Sequence, residues 1–264
     1  MNRIWIIAFA FVLGSCATTH ENLNGVLWTQ TSPEFMVSSA QAFTLAELQV
    51  EKAIADKNWT ALPDQTSDYQ SLAPAVIVDV DETMLDNSPF QARLVEDGKE
   101  FDPELWSQWV NEIQAEAISG AKEFVDFLDQ KGVKIFYVTN RVLEAPTVKN
   151  IQLKLDADVT SADVYCKYEK EEWGSNKTPR RNLIAENYRV VLLIGDDYND
   201  FTDLGKVSPS ERVAKASAFE KYWGTKWIVL SNPHYGNWER SLYIGENKKK
   251  GKLKEKYSKL ETAR

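Results

Sequence analysis

Residues 75–80 read Ala-Val-Ile-Val-Asp-Val, an almost unbroken apolar run with no alternation. A strand with one wet face alternates apolar and polar residues. A continuous run therefore calls for cover on both faces, the setting of a strand inside a parallel sheet. The same grammar returns at 133–139, 190–195 and 227–230. Helical patterns lie between these runs, at 121–131 (closed by Gly132), 147–155 and 179–187. Alternating strands and helices predict an α/β fold, a Rossmann-like parallel sheet flanked by helices with right-handed crossovers. At 264 residues and 43% apolar, the chain can build one principal core.

In such sheets a ligand sits at the carboxyl ends of the strands. The runs end on Asp79-Val80-Asp81, Thr139-Asn140-Arg141 and Gly195-Asp196-Asp197, so polar groups collect where the site belongs. Asp79 and Asp81 point the same way if the strand persists through both. Two such carboxylates repel unless one is protonated or a cation lies between them, and Mg²⁺ is the usual partner of carboxylates and phosphate together. The other reading of an isolated Asp-x-Asp is a solvated turn or helix cap. Thr139 and Asn140 can donate hydrogen bonds to phosphoryl oxygens. Lys177, in Ser175-Asn176-Lys177-Thr178-Pro179 at a helix entrance, favours an anion. Asp196, Asp197 and Asp200 are suited to completing a metal site. A net charge of -8 argues against a nucleic-acid polymer as partner but leaves a small anion possible beside a local cation.

The N-terminus carries an address. Arg3 precedes an apolar stretch at 4–13, too short for a comfortable membrane span, and Leu13-Gly14-Ser15-Cys16 follows. Residues 1–16 therefore read as a lipoprotein signal peptide and lipobox with Cys16 acylated, and Ala17 after it favours the outer membrane of a Gram-negative bacterium. With Cys16 lipidated, Cys166 has no disulfide partner and reads as a small buried hydrophobe. Residues 17–38, with Pro33, read as a tether that includes His20, and 39–57 as the first ordered helix. The folded domain is expected over 39–247. A small helical cap insertion at about 86–119 carries Trp106 and Trp109, and a basic tail spans 248–264. That tail is either simply solvated or drawn to anionic headgroups.

The blocks Asp79-Val80-Asp81-Glu82-Thr83, Val138-Thr139-Asn140-Arg141, Lys177 and Gly195-Asp196-Asp197-Tyr198-Asn199-Asp200, in this order, resemble the haloacid dehalogenase superfamily. The longer string Asp79-Val80-Asp81-Glu82-Thr83-Met84-Leu85-Asp86-Asn87-Ser88-Pro89-Phe90 is similar to the class C acid phosphatases, specifically the lipoprotein e(P4) family. So is Asn232-Pro233-His234-Tyr235-Gly236-Asn237-Trp238-Glu239. The resemblance implies Asp79 as nucleophile, Asp81 as proton donor with its carbonyl toward the metal, and Thr139, Asn140 and Lys177 around the phosphoryl group. Asp196 would ligate Mg²⁺; Asp200 would either approach the metal or position Lys177. Asp197-Tyr198-Asn199 stands where the family commonly has Asn-Leu-Asp.

Trp106 and Tyr235 match positions that in this family flank the leaving group, and stacking would favour nucleoside monophosphates, nicotinamide mononucleotide or aryl phosphates. His234 reads as a phosphate contact or a structural residue. The phosphate monoester is the implied small-molecule partner, and members of the family are often homodimers. Two rivals remain at this point. One is a non-catalytic metabolite-binding lipoprotein on the same scaffold; the other is phosphoryl transfer to an acceptor other than water.

Overall fold

The computed structural model describes residues 20–66, 68–245 and 252–262; the signal sequence, Cys16 and Lys248-Lys249-Lys250 lie outside them. Helices α1 (Leu23–Thr31) and α2 (Pro33–Ala55) lead into strand β1 (Ala73–Val78). Strand β2 (Leu85–Asp86), helices α3 (Ser88–Asp97) and α4 (Pro103–Glu112) and strand β3 (Glu116–Ala117) follow. Then come α5 (Ala121–Gln130), β4 (Lys134–Val138), α6 (Glu144–Lys154), β5 (Val164–Tyr165), α7 (Thr178–Ala185), β6 (Tyr188–Gly195), α8 (Pro209–Ala218) and β7 (Trp227–Val229). Helices α9 (Asn237–Ser241) and α10 (Lys252–Ser258) come last.

Five strands form one sheet in the order β5-β4-β1-β6-β7, every pair parallel. This is the expected Rossmann-like architecture, and alternation along each strand divides the core in two. Val76 and Val78 of β1, with Ile135 and Tyr137 of β4, pack on the layer containing α2 and α5. Ala75, Ile77, Phe136 and Val138 pack on the opposite layer, where Ile184 of α7 and Trp227 lie. The register between β1 and β6 slips at Ala75/Val76. Val191 and Leu192 consequently face the same layer, and the Trp59 indole N–H donates to the Val191 carbonyl at 2.8 Å.

The tether reading of 17–38 is corrected from Leu23 onward, because α1 and the start of α2 occupy it. Ser32 and Pro33, which read as loop punctuation, are a helix start. The Ser32 hydroxyl accepts from the Phe35 N–H at 3.1 Å, and proline at the first helical position gives up no needed donor. Val26 and Phe35 are buried, and Trp28 meets Phe35 edge-on at 5.4 Å, so the segment adds to the core. His20 bonds the Lys99 carbonyl at 3.0 Å.

Residues 86–119 form the α3–α4 helix pair, closed at its base by antiparallel pairing of Leu85 with Ala117 and Asp86 with Glu116. Phe90 and Trp106, centroids 5.1 Å apart, and the buried Trp109 bind the two helices together.

Candidate active site

The chain passes from β1 to β4 on one side and later reaches β6 on the other, so the crevice at the ends of β1 and β6 is the topological switch point. Asp79 stands in that crevice: its N–H donates to the Ile194 carbonyl at 2.9 Å, and its side chain is buried. Asp196 follows β6 directly, and Asp200 closes the next turn. Asp79, Asp196 and Asp200 each offer an oxygen within 4.8 Å of the others. Thr83 Oγ1 sits between two of them, 3.4 Å from Asp79 and 3.3 Å from Asp196.

Lys177, buried at the N-terminal cap position of α7, pairs with Asp79 and lies 2.7 Å from Asp200. Burial opposes its charge, but Asp200 and Asp79 more than offset this and hold the ammonium protonated. Asp200 thus lies both in the acid cluster and on Lys177. Asp196 receives the Asn232 amide at 2.8 Å but pairs with no lysine or arginine among the described residues. Three carboxylates facing one ammonium leave negative charge uncompensated in a buried place. Oxygen-only donors with that surplus fit a hard divalent cation.

The acid cluster carries its charge at a cost. Burial, then Asp200 and Asp81, push the Asp79 carboxyl up to about 7 against the pull of Lys177. Burial likewise raises Glu82 and Asp196 well above the usual carboxylate range. A carboxyl raised by folding takes up protons on folding between its unfolded value, about 4, and its folded one, so stability falls as pH rises through that window. Metal-free protein is expected to melt several degrees higher at pH 5 than at pH 8, with the difference shrinking when a divalent cation is added. A melting temperature that climbs from pH 5 to pH 8 without metal would contradict the assignment.

Gly195 makes this crowding possible. A Cβ there would overlap the Cβ and carboxylate of Asp200, so Gly195→Ala is expected to displace Asp200 and loosen Lys177. The measurement is kcat for a phosphate monoester, expected to fall about 100-fold with the fold retained by circular dichroism.

The Asp81 carboxylate stands outside the acid cluster and has its own support. Arg141, its side chain only 1% exposed, places Nε and Nη2 each 2.8 Å from Asp81 Oδ1. The Asn87 amide donates to the same oxygen at 3.0 Å, and Asn87 Oδ1 accepts from the Trp109 indole at 2.8 Å and from Arg141 at 3.2 Å. With Oδ1 saturated, Oδ2 is the oxygen left for a proton, and the Thr139 hydroxyl lies 3.4 Å from it. Thr139 is buried and accepts the Arg141 N–H at 3.1 Å. Asn140 is exposed and is held by Arg180 at 2.8 Å on its carbonyl and by the Ser175 carbonyl at 3.2 Å on its amide.

Tyr235 bonds Glu82, whose backbone is left-handed at φ 58°. Trp106 lies under the Arg141 guanidinium at 5.6 Å, so Arg141 touches both the proposed acid and a proposed substrate aromatic. His234 is buried against Thr29 at 3.0 Å, which suits the structural alternative. Asp197 accepts from Asn199 N at 2.9 Å and from Asn237 N at 2.6 Å, tying two loops behind the site. Cys166 is buried, its thiol pushed above the usual value by burial. The sequence reading assigned no role to Arg141, Asn87, Glu82, Thr83, Arg180 or Asn232. Arg141 and Asn87 sat inside the quoted strings, and an arginine next to a strand-end hydroxyl was the available signal.

A parallel α/β sheet that gathers three carboxylates, a lysine and a hydroxyl at its switch point has the layout of a phosphotransferase. The family described as HAD superfamily, subfamily IIIB (Acid phosphatase), matches residues 10–238, and the chain belongs to it. It is thereby a member of a family of phosphoric monoester hydrolases.

The class C acid phosphatase from Bacillus anthracis superposes with a TM-score of 0.81 at 31% identity, covering 93% of this chain and 99% of that one. A second structure of that enzyme, with tungstate bound, gives 0.81 at 30% identity over 94% and 99%. Among curated proteins, a stem 31 kDa glycoprotein of Glycine max is 27% identical over 128 residues, 47% of this chain and 50% of its own. A stem 28 kDa glycoprotein of the same plant is 27% identical over 129 residues, 47% and 51%. The chain spans about half the length of these curated relatives.

Proposed function

We propose that this chain is a Mg²⁺-dependent acid phosphatase of the bacterial envelope that acts on 5′-nucleotides or nicotinamide mononucleotide through an aspartyl-phosphate intermediate. The observation that carries the reading is the convergence of Asp79, Asp196 and Asp200 within 4.8 Å, with Lys177 on two of them. Asp79 attacks phosphorus, the bond to the leaving oxygen breaks, and Asp81 gives that oxygen its proton. Asp81 then takes a proton from water, the water oxygen attacks the phosphorus held on Asp79, and phosphate leaves with the Asp79 carboxylate restored. Thr139, with Asn140 nearby, holds the transferring group and Lys177 neutralises it. Asp79, Asp196 and Asp200, with the Asp81 carbonyl, would hold the cation, which supplies charge neutralisation to the phosphoryl oxygens. Tungstate in the relative is a tetrahedral oxyanion, the shape this cradle is suited to accept.

Trp106 and Tyr235 would flank the leaving group, stacking on a base or aryl ring. The lipobox at Cys16 supports a lipid anchor at the outer membrane. Among the described residues no helix is long and apolar enough to cross a membrane.

The test is a panel of 5′-nucleotides, nicotinamide mononucleotide, sugar phosphates and p-nitrophenyl phosphate, offered with Mg²⁺ and with chelator to the chain beginning at residue 17. Metal-dependent release of phosphate, fastest with ring-bearing monoesters, is expected. No turnover of any monoester with metal present would leave the metabolite-binding reading in its place.

A further inference from the structure

Helix α10 presents two unlike faces. Glu255 is buried against the body of the protein, whereas Leu253, Tyr257 and Leu260 are 52%, 66% and 65% exposed. Spacings of four and three residues bring these side chains within about 60° of one another around a helix. Hydrogen bonds from Lys259 N to Lys256 O and from Leu260 N to Tyr257 O carry the turn past Ser258. By the same count Lys252, Lys256 and Lys259 flank the stripe on one side, where Lys252 pairs with Glu100, Lys256 with Glu21 and Glu239, and Lys259 with Glu255, and Lys254 lies on the other side. Over 248–259 the sequence sets seven lysines against one glutamate, in a chain of net charge -8.

The position of this helix matters as much as its pattern. Lys256 pairs with Glu21 and lies 2.7 Å from Glu239, so α10 is clamped to the first described residues of the chain. Glu21 is five chain steps from Cys16, a span of at most about 18 Å. An apolar stripe between basic flanks is the pattern of a helix that lies in a headgroup layer.

We propose that α10 is a membrane-surface helix. Leu253, Tyr257 and Leu260 insert at the boundary of headgroups and acyl chains, and Lys254 faces the phosphates of an anionic phospholipid bilayer. Charge complementarity selects this occupant: the basic run 248–254 of the sequence finds phosphates on an anionic bilayer and none in excess on a neutral one. The inference goes beyond the phosphatase reading. Its placement beside the bilayer rests on the lipobox reading of Cys16, and the experiment therefore dispenses with the acyl anchor.

The chain beginning at residue 17, which retains every described residue, is sedimented with vesicles of phosphatidylethanolamine and phosphatidylglycerol, and with vesicles of phosphatidylcholine alone. Binding to the anionic vesicles only, weakened by added salt, is expected. The combined change Leu253→Ser, Tyr257→Ser and Leu260→Ser, and separately Lys254→Glu, should each weaken binding roughly tenfold. Turnover of p-nitrophenyl phosphate and the melting temperature should stay at wild-type values in both variants. Absence of binding to anionic vesicles, equal binding to phosphatidylcholine, or variants that bind like wild type would overturn the proposal. So would a triple variant that instead dissociates a dimer of the vesicle-free protein. An inactive wild type would count against the phosphatase reading alone, and the melting temperature would then serve as the folding control.

Discussion

Asp79→Asn is expected to lower turnover of p-nitrophenyl phosphate by on the order of 10⁴-fold or more, with the melting temperature unchanged or raised. The two halves of this expectation have one cause. Asp79 is buried at the end of β1 beside Asp196 and Asp200, where its ionised form is disfavoured and its carboxyl is pushed up to about 7. An amide of the same shape removes one of the crowded charges and leaves Lys177 paired with Asp200 at 2.7 Å. Folding therefore loses a burden while the reaction loses the nucleophile proposed for it. A variant that both melts early and turns over slowly would point to a structural role for Asp79. Steady-state kcat and a thermal melt on the same preparation separate the cases.

Arg141 gives the second large effect, and here the readout is its dependence on the leaving group. The arginine fork and Asn87 occupy Asp81 Oδ1, so on the proposed mechanism Oδ2 is the oxygen that would carry the donated proton. Arg141→Lys keeps the charge but cannot reproduce a planar fork, and Asp81 should lose its fixed orientation. Proton donation contributes about 10²–10⁴-fold where the leaving oxygen needs it. Hydrolysis of alkyl monoesters such as nucleotides should fall by roughly 100-fold or more in kcat. Hydrolysis of p-nitrophenyl phosphate, whose leaving group departs as a stable anion, should fall far less. Equal losses on both substrates would show that Arg141 supports the fold of the site and not the acid.

Much of the sheet was legible because burial on both faces writes itself as unbroken apolar sequence, as in 75–80 and 190–195. Strand β5 was not, since Val164–Tyr165 is two residues long and has no period to read. Helix α8 left a signal in Ser208-Pro209-Ser210-Glu211, where the Ser208 and Glu211 side chains cap each other's backbone reciprocally. Ser32 and Pro33 misled in the opposite direction, because the same residues that break a helix also start one.

At the site, the acids that follow strands could be placed by position alone, and so Asp79, Asp81 and Asp196 were found. Arg141 meets Asp81 and Asn87 across 60 and 54 residues of chain, and only the pairing of β4 with β1 brings them together. Nothing in the local sequence announces that Glu82 would turn left-handed and meet Tyr235, 153 residues away.

The central claim is that Asp79 carries the phosphoryl group between two displacements. Mixing the metal-loaded enzyme with a rapidly hydrolysed monoester, quenching in acid during turnover and mapping the peptides by mass tests it directly. The account predicts one phosphoryl group on Asp79, absent from Asp79→Asn. A phosphoryl group on another residue, or none on an enzyme turning over at full rate with breakdown of the intermediate limiting, would contradict it.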